Sequence, residues 1–81
     1  MDRIHTESGA IYDVDWEAGR VRRRGPHSPG INYEAVPDDE WHHFVGATPP
    51  VTGLSMQLWM DGSYRVTTPV TTVEVDVEVS A

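Results

Sequence analysis

Hydrophobic and polar positions alternate most regularly in two parts of the chain. In the first, Tyr12, Val14 and Trp16 fall on one side and Asp13, Asp15 and Glu17 on the other, the two-residue period of a half-buried strand. Glu17-Ala18-Gly19-Arg20 then supplies a turn in which Gly19 takes the positive φ of a tight reversal, and residues 21–24 return as the partner strand. An even loop sets Trp16 opposite Val21, Asp15 opposite Arg22 and Asp13 opposite Arg24, which pairs opposite charges and keeps the indole on the apolar side. An odd loop would set Trp16 against Arg20. In the second part, Val73, Val75, Val77 and Val79 alternate with Thr72, Glu74, Asp76 and Glu78, and such a valine row needs a cover.

A second hairpin is signalled by Asp61-Gly62 between strand-like runs, and a two-residue loop there sets Trp59 opposite Tyr64. Residues 54–60 form its first arm. Residues 64–68 and 70–79 follow as two strands, or as one strand broken at Pro69, a residue suited to an edge or a bulge. Residues 41–45 read as a further strand closed by Gly46 and Pro49-Pro50. Residues 25–40 hold three prolines and two glycines and read as a long loop, within which Pro37-Asp38-Asp39-Glu40 resembles the first turn of a helix. Residues 1–8 read as a flexible N-terminus. The pattern therefore predicts a single all-β domain over residues 1–81, a small barrel or sandwich of about five to six short antiparallel strands with two tight hairpins. Its core would combine the valine row, the Tyr12/Val14/Trp16 row, Leu54, Met56 and Leu58.

Composition changes this picture in two ways. At 81 residues and without cysteine, the chain buries only about 60% of its unfolded surface and has no disulfides to help it, so association with itself or with another protein is the expected supplement. A net charge of −7 repels nucleic acid and anionic membranes, so the expected partner is a protein, with homo-oligomerisation as one form of it. No signal-like apolar core and no apolar run near the length of a membrane span is present, which points to the cytoplasm or a virion. All six basic residues are arginine and Asn occurs only at Asn32, a bias expected of a high-GC genome.

Candidate chemistry is sparse. Asp13, Asp15 and Glu17, and likewise Glu74, Asp76 and Glu78, would form two carboxylate rows spaced about 6.6 Å apart along their strands. Such rows could occupy a basic groove on a partner, or simply be solvated outer faces that discourage aggregation. Arg22, Arg23 and Arg24 are a candidate anion site, although the acids across the hairpin compete for them, and Arg23 has the parity of Val21. His42 and His43 point to opposite faces of a strand and cannot chelate one ion together, so neither a metal nor any other cofactor is expected. The segment Gly53-Leu54-Ser55-Met56-Gln57 lacks the second glycine of a nucleophile elbow, and there is no P-loop or dinucleotide fingerprint, so no enzyme is expected. Trp41, Trp59 and Tyr64 stand out as candidate partner-binding aromatics, because Trp59 and Tyr64 have the opposite parity to Met56, Leu58 and Met60, leaving both faces of their hairpin apolar.

The segments Ser8-Gly9-Ala10-Ile11-Tyr12-Asp13-Val14-Asp15, Gly19-Arg20-Val21-Arg22-Arg23 and Thr67-Thr68-Pro69-Val70-Thr71 resemble a pattern in small uncharacterised all-β proteins of actinobacteria and actinobacteriophages. The resemblance implies a similar fold and source and carries no activity. The expected function is a non-enzymatic interaction module, phage-encoded, that binds a host protein through an acidic face or the aromatic hairpin. The alternatives are a virion decoration or head-tail protein and a small-anion binder using the Arg22–Arg24 cluster.

Overall fold

The computed structural model describes residues 1–25 and 39–78. Its strands are β1 (Asp2–Thr6), β2 (Ile11–Asp15), β3 (Arg20–Arg24), β4 (Trp41–Ala47), β5 (Ser55–Met60) and β6 (Ser63–Glu74). Each pairs antiparallel with its sequence neighbour, and β6 pairs with β1 to close a barrel in the order β1-β2-β3-β4-β5-β6. Closure leaves the six described strands without an unpaired sheet edge to template aggregation. Of the two expected architectures, the chain adopts the barrel.

The closing strand is β1, within the segment expected to be a flexible N-terminus. Its single aliphatic residue, Ile4, is fully buried, and backbone pairing on both sides, to β2 and to β6, holds the rest. The opposite end of the chain departs from the pattern. β6 stops at Glu74, Asp76 takes a left-handed φ of 54°, and the Val77 amide donates to the Met1 carbonyl at 2.7 Å. The valine row therefore does not line the core: Val73 packs against its margin, Val75 is 67% exposed, and Val79 lies outside the described residues.

Pro69 interrupts nothing. β6 runs through it as one strand and changes partner there, pairing with β5 as far as Pro69 opposite Ser55 and with β1 from Val70 onward. Register shifts in β5, between Ser55 and Gln57, and in β1, between His5 and Thr6, flank this point. A residue without an amide proton fits where the ladder is already broken, while its carbonyl still accepts from the Glu7 amide at 2.9 Å.

The first hairpin has the expected even loop, slid by two residues. Asp15 faces Arg20, Val14 faces Val21 and Asp13 faces Arg22, so the loop comprises residues 16–19, with Gly19 at φ 66°. The Asp15 carboxylate fixes this choice by accepting the Ala18 amide at 3.1 Å and Arg20 Nε at 3.2 Å, a side-chain turn that outcompetes a longer ladder. Trp16 consequently leaves the core face. It is 39% exposed, its Nε1 donates to Asp2 Oδ2 at 2.9 Å, and its ring meets Phe44 edge-on at 5.9 Å. Trp16→Phe should keep the ring contact and lose the hydrogen bond, lowering the unfolding free energy by about 1 kcal/mol in urea titrations; no change would mean that the Asp2 bond contributes nothing.

The core comprises Ile4, Ala10, Tyr12, Val14, Val21, Met56, Leu58 and Val70, with Phe44, Ala47, Met60 and Val73 packed against it. Leu54, expected beside Met56, is instead 61% exposed, because it precedes β5 in a turn whose amide bonds back to Val51 at 3.0 Å. Residues 26–38, most of the expected long loop, lie outside the described residues, as do Pro37 and Asp38 of the expected helical turn. Asp39, its third residue, has a left-handed φ of 64°, which is not helical.

Candidate functional site

Among the described residues, the outer surface of the barrel divides into a charged half and a half poor in charge. Across β6, β1, β2, β3 and β4 runs one lateral row of cross-strand partners: Glu74, Arg3, Asp13, Arg22 and Trp41. Directly opposite residues on one face are close enough for side chains to pair, and here the signs alternate. Arg3 Nε donates to Asp13 Oδ1 at 2.8 Å and Arg22 to Oδ2 at 3.3 Å, while an Arg24 nitrogen lies 3.8 Å from Oδ2. Arg20 and Arg22 then cover the Trp41 ring, with guanidinium carbons 4.3 and 4.8 Å from its centroid, a stacking that favours arginine over lysine.

This network corrects the expected acidic face. Asp13 is a partner-binding candidate by sequence, yet it is only 1% exposed under its guanidinium cover. Burial on its own would raise the Asp13 carboxyl, but the hydrogen bonds from Arg3 and Arg22 and the charges of Arg3 and Arg24 outweigh it and hold the group below the ordinary carboxylate value. Asp15 is likewise held low, first by the Ala18 amide and then by Arg20. Glu17 is exposed in the turn. Glu74 is exposed and meets His5 Nε2 at 2.6 Å, and Asp76 and Glu78, although exposed, lie beyond the end of β6. Neither carboxylate row forms the regular ladder that the alternation implied.

The expected anion site comes apart for a similar reason. Arg22 and Arg24 point outward onto Asp13, whereas Arg23 pairs with Tyr12 on the inner side. Arg23 is 4% exposed, donates to the Gly25 carbonyl at 3.0 Å, and lies over the Tyr12 ring. Adjacent strand residues face opposite ways, so these three side chains cannot converge. His42 and His43 divide in the same manner, standing opposite Val21 and Arg20.

The other half of the outer surface has a different chemistry. Residues 44–60 contain no Asp, Glu, Lys, Arg or His, and the one charged residue between 63 and 73 is Arg65, which is 3% exposed. Trp59 and Tyr64 face each other across the Asp61-Gly62 hairpin, as the two-residue loop requires. Their rings lie 5.6 Å apart at 44° and are 39% and 53% exposed. On the other flank Trp59 pairs with Gly46, and the indole lies over that glycine, its Cε3 in ordinary contact range of where a Cβ would stand. The register shift between Phe44 and Gly46 marks a bulge, a device that re-aims side chains, and it turns out Val45, the most exposed of the large hydrophobics at 79%. Gln57 and Val66 continue this surface as the next cross-strand pair.

Of the candidate aromatics, Trp59 and Tyr64 are thus brought together on open surface, while Trp41 is half-buried beneath Arg20 and Arg22. Arg3 and Val45 had no distinguishing local signal, and Arg20 and Gly46 carried only the signals of a turn and a strand end. The uncharged run at 44–60, in so acidic a chain, was the signal that marks this half of the barrel. No helix among the described residues is long and apolar enough to cross a membrane. Comparison with protein-family models, with curated proteins and with solved structures found no match for the chain.

Proposed function

We propose that this chain is a non-enzymatic protein-interaction module whose binding surface is the outer face of the β5–β6 hairpin, centred on Trp59 and Tyr64. One observation carries the reading. On a protein with a net charge of −7, an exposed aromatic pair with Val45 beside it sits on a face where residues 44–60 carry no charge, whereas Asp13, Asp15 and Glu74 of the other half are paired with Arg3, Arg20, Arg22, Arg24 and His5. Aromatic residues at the centre of an uncharged patch have the composition of interface hot spots, and a rim of charge away from the centre is the usual arrangement. The acidic alternative loses ground because Asp13 and Asp15 are tied to arginines.

The test is quantitative capture from a cell lysate by the wild type and by the double variant Trp59→Ser/Tyr64→Ser. Both side chains are outside the core, so circular dichroism should show the same fold. Proteins enriched by the wild type should fall at least about tenfold, since two aromatic hot spots carry well over 1.4 kcal/mol. Equal enrichment by both baits would overturn the reading.

A further inference from the structure

We infer that the partner seated on the β5–β6 hairpin is a short proline-rich segment in the polyproline II conformation, lying across Trp59 and Tyr64 with a basic residue beside Asp61. The inference rests on the reading of that face as a binding surface and adds the chemistry of its occupant.

The position of the aromatic pair limits the kind of recognition open to it. β5 is paired on both flanks, Trp59 with Gly46 on one side and with Tyr64 on the other, so a ligand here meets side chains and cannot add a strand to a backbone edge. The apolar contact is also short. Trp59, Tyr64 and Val45 are exposed, but the next cross-strand pair is Gln57 with Val66 and Ser55 lies beyond it, so no continuous apolar stripe awaits the i, i+3, i+4 and i+7 anchors of an amphipathic helix. A stable folded partner covers about 20–30 residues a side, far more than this end of the hairpin presents. The two rings, inclined at 44° with centroids 5.6 Å apart, form a stepped surface that receives a narrow ridge better than a flat wall.

Hydrogen bonding narrows the occupant further. The rings carry two donors, Trp59 Nε1 and Tyr64 Oη, and neither has a hydrogen-bond partner among the described residues. No carboxylate stands within residues 44–60 to accept from the many hydroxyls of a glycan. A proline-rich chain is the complement: its carbonyls accept, its prolines bring no amide proton to satisfy, and its pyrrolidine rings are apolar. Its helix, three residues per turn with a solvated backbone, is formed before binding, so a small contact need not offset the ordering of a flexible chain. Charge adds the flank. Asp61 is exposed in the turn, two residues from Trp59, and a Lys or Arg next to the prolines complements it, whereas an acidic flank is repelled by it and by the net charge of −7.

Titration of the isotope-labelled full chain with decaproline carrying a C-terminal arginine, followed by NMR, tests this. The expected result is saturable movement of the Trp59 indole N–H signal and of the backbone signals around the hairpin, absent for a glycine-serine peptide of the same length with the same arginine. Affinity should fall about 2- to 10-fold in Tyr64→Phe, which removes one donor and keeps the ring, fall up to about 5-fold in Asp61→Asn, and be lost in Trp59→Ser/Tyr64→Ser. No saturable shift at millimolar peptide, an equal response to the glycine-serine peptide, or saturation by a neutral glucan oligosaccharide but not by the proline peptide overturns the inference. The binding face itself still stands in that event if lysate capture depends on Trp59 and Tyr64, and both readings fall if capture is independent of them.

Discussion

Asp13→Ala should bring the protein close to unfolding at neutral pH, with the melting temperature falling by roughly 12–24 °C. Asp13 is 1% exposed and is the shared acceptor of Arg3 and Arg22, with Arg24 close by. Removing one member of such a network leaves charges held together without their counter-ion, which costs about 3–5 kcal/mol. The guanidinium groups keep side-chain exposures of 25%, 18% and 37% and can turn to water, so the lower end, about 3 kcal/mol, is the better expectation. An 81-residue domain has roughly 4–12 kcal/mol in all, and each kcal/mol moves its midpoint by about 4–8 °C. Asp13→Asn, which keeps an acceptor and loses the charge, should fall between the variant and the wild type. A melting point within a few degrees of wild type for Asp13→Ala would show that the arginines are held by something other than this carboxylate.

The same group gives the protein an acid sensitivity of defined sign. The folded-state pKa of Asp13 lies below its ordinary value of 3.8, so its contribution is fully present above that value and is lost as pH falls through the lower, folded one. Urea midpoints measured from pH 5 downward should drop through this window in the wild type, and the drop should be shallower in Asp13→Asn. Asp15, also held low, contributes with the same sign, so some slope remains in the variant.

How far the fold was legible follows from which physical signal each element carries. The two hairpins were readable because alternation and the turn residues Gly19 and Asp61-Gly62 act locally, and Trp59 faces Tyr64 as the two-residue loop dictates. β1 was hidden because a strand paired on both sides needs only one inward aliphatic, Ile4, to be placed. The two-residue slip at Asp15 was hidden because both registers keep the same parity and pair acids with arginines; the carboxylate's bonds to the Ala18 amide and Arg20 Nε separate them. Asp13 looked like a solvated face residue for a related reason. Its burial depends on Arg3, brought alongside by β1, and no local pattern announces that strand. The valine row misled in the other direction: Val75 and Val77 keep the period of a strand, but the β1–β6 ladder ends at Arg3 opposite Glu74, where Asp76 turns left-handed and its amide bonds to the Asp2 side chain instead of the backbone, and periodicity without a continuing ladder does not make a sheet. For the candidate surface, sequence parity already placed Trp59 and Tyr64 outside. The absence of charge around them became meaningful once the barrel gathered those residues onto one side.

A second large effect should come from a glycine whose role depends on this topology. Gly25 follows β3 at φ +105°, and a Cβ there would stand 2.9 Å from the Gly9 carbonyl oxygen and 3.2 Å from the Ala10 Cα. Both neighbours are backbone and cannot swing aside. The cross-strand match of Ile11 with Arg24 brings these segments together, one step beyond the ladder. Gly25→Ala should therefore add backbone strain of about 1–3 kcal/mol to a steric shift of similar size, in total roughly 2–6 kcal/mol. Gly62 separates the two terms. It also has positive φ, +78°, but nothing lies within 4 Å of its would-be Cβ, so Gly62→Ala should show the strain alone, about 1–2 kcal/mol. Urea titration of the two variants side by side tests this difference directly. Equal losses would mean that the close approach of Gly25 to Gly9 is relieved at no cost, and that the join between β3 and the start of β2 is looser than the register implies. A larger loss at Gly25 would identify the contact with Gly9 as the point where the meander is locked at this end of the barrel, at the residue where the chain leaves β3.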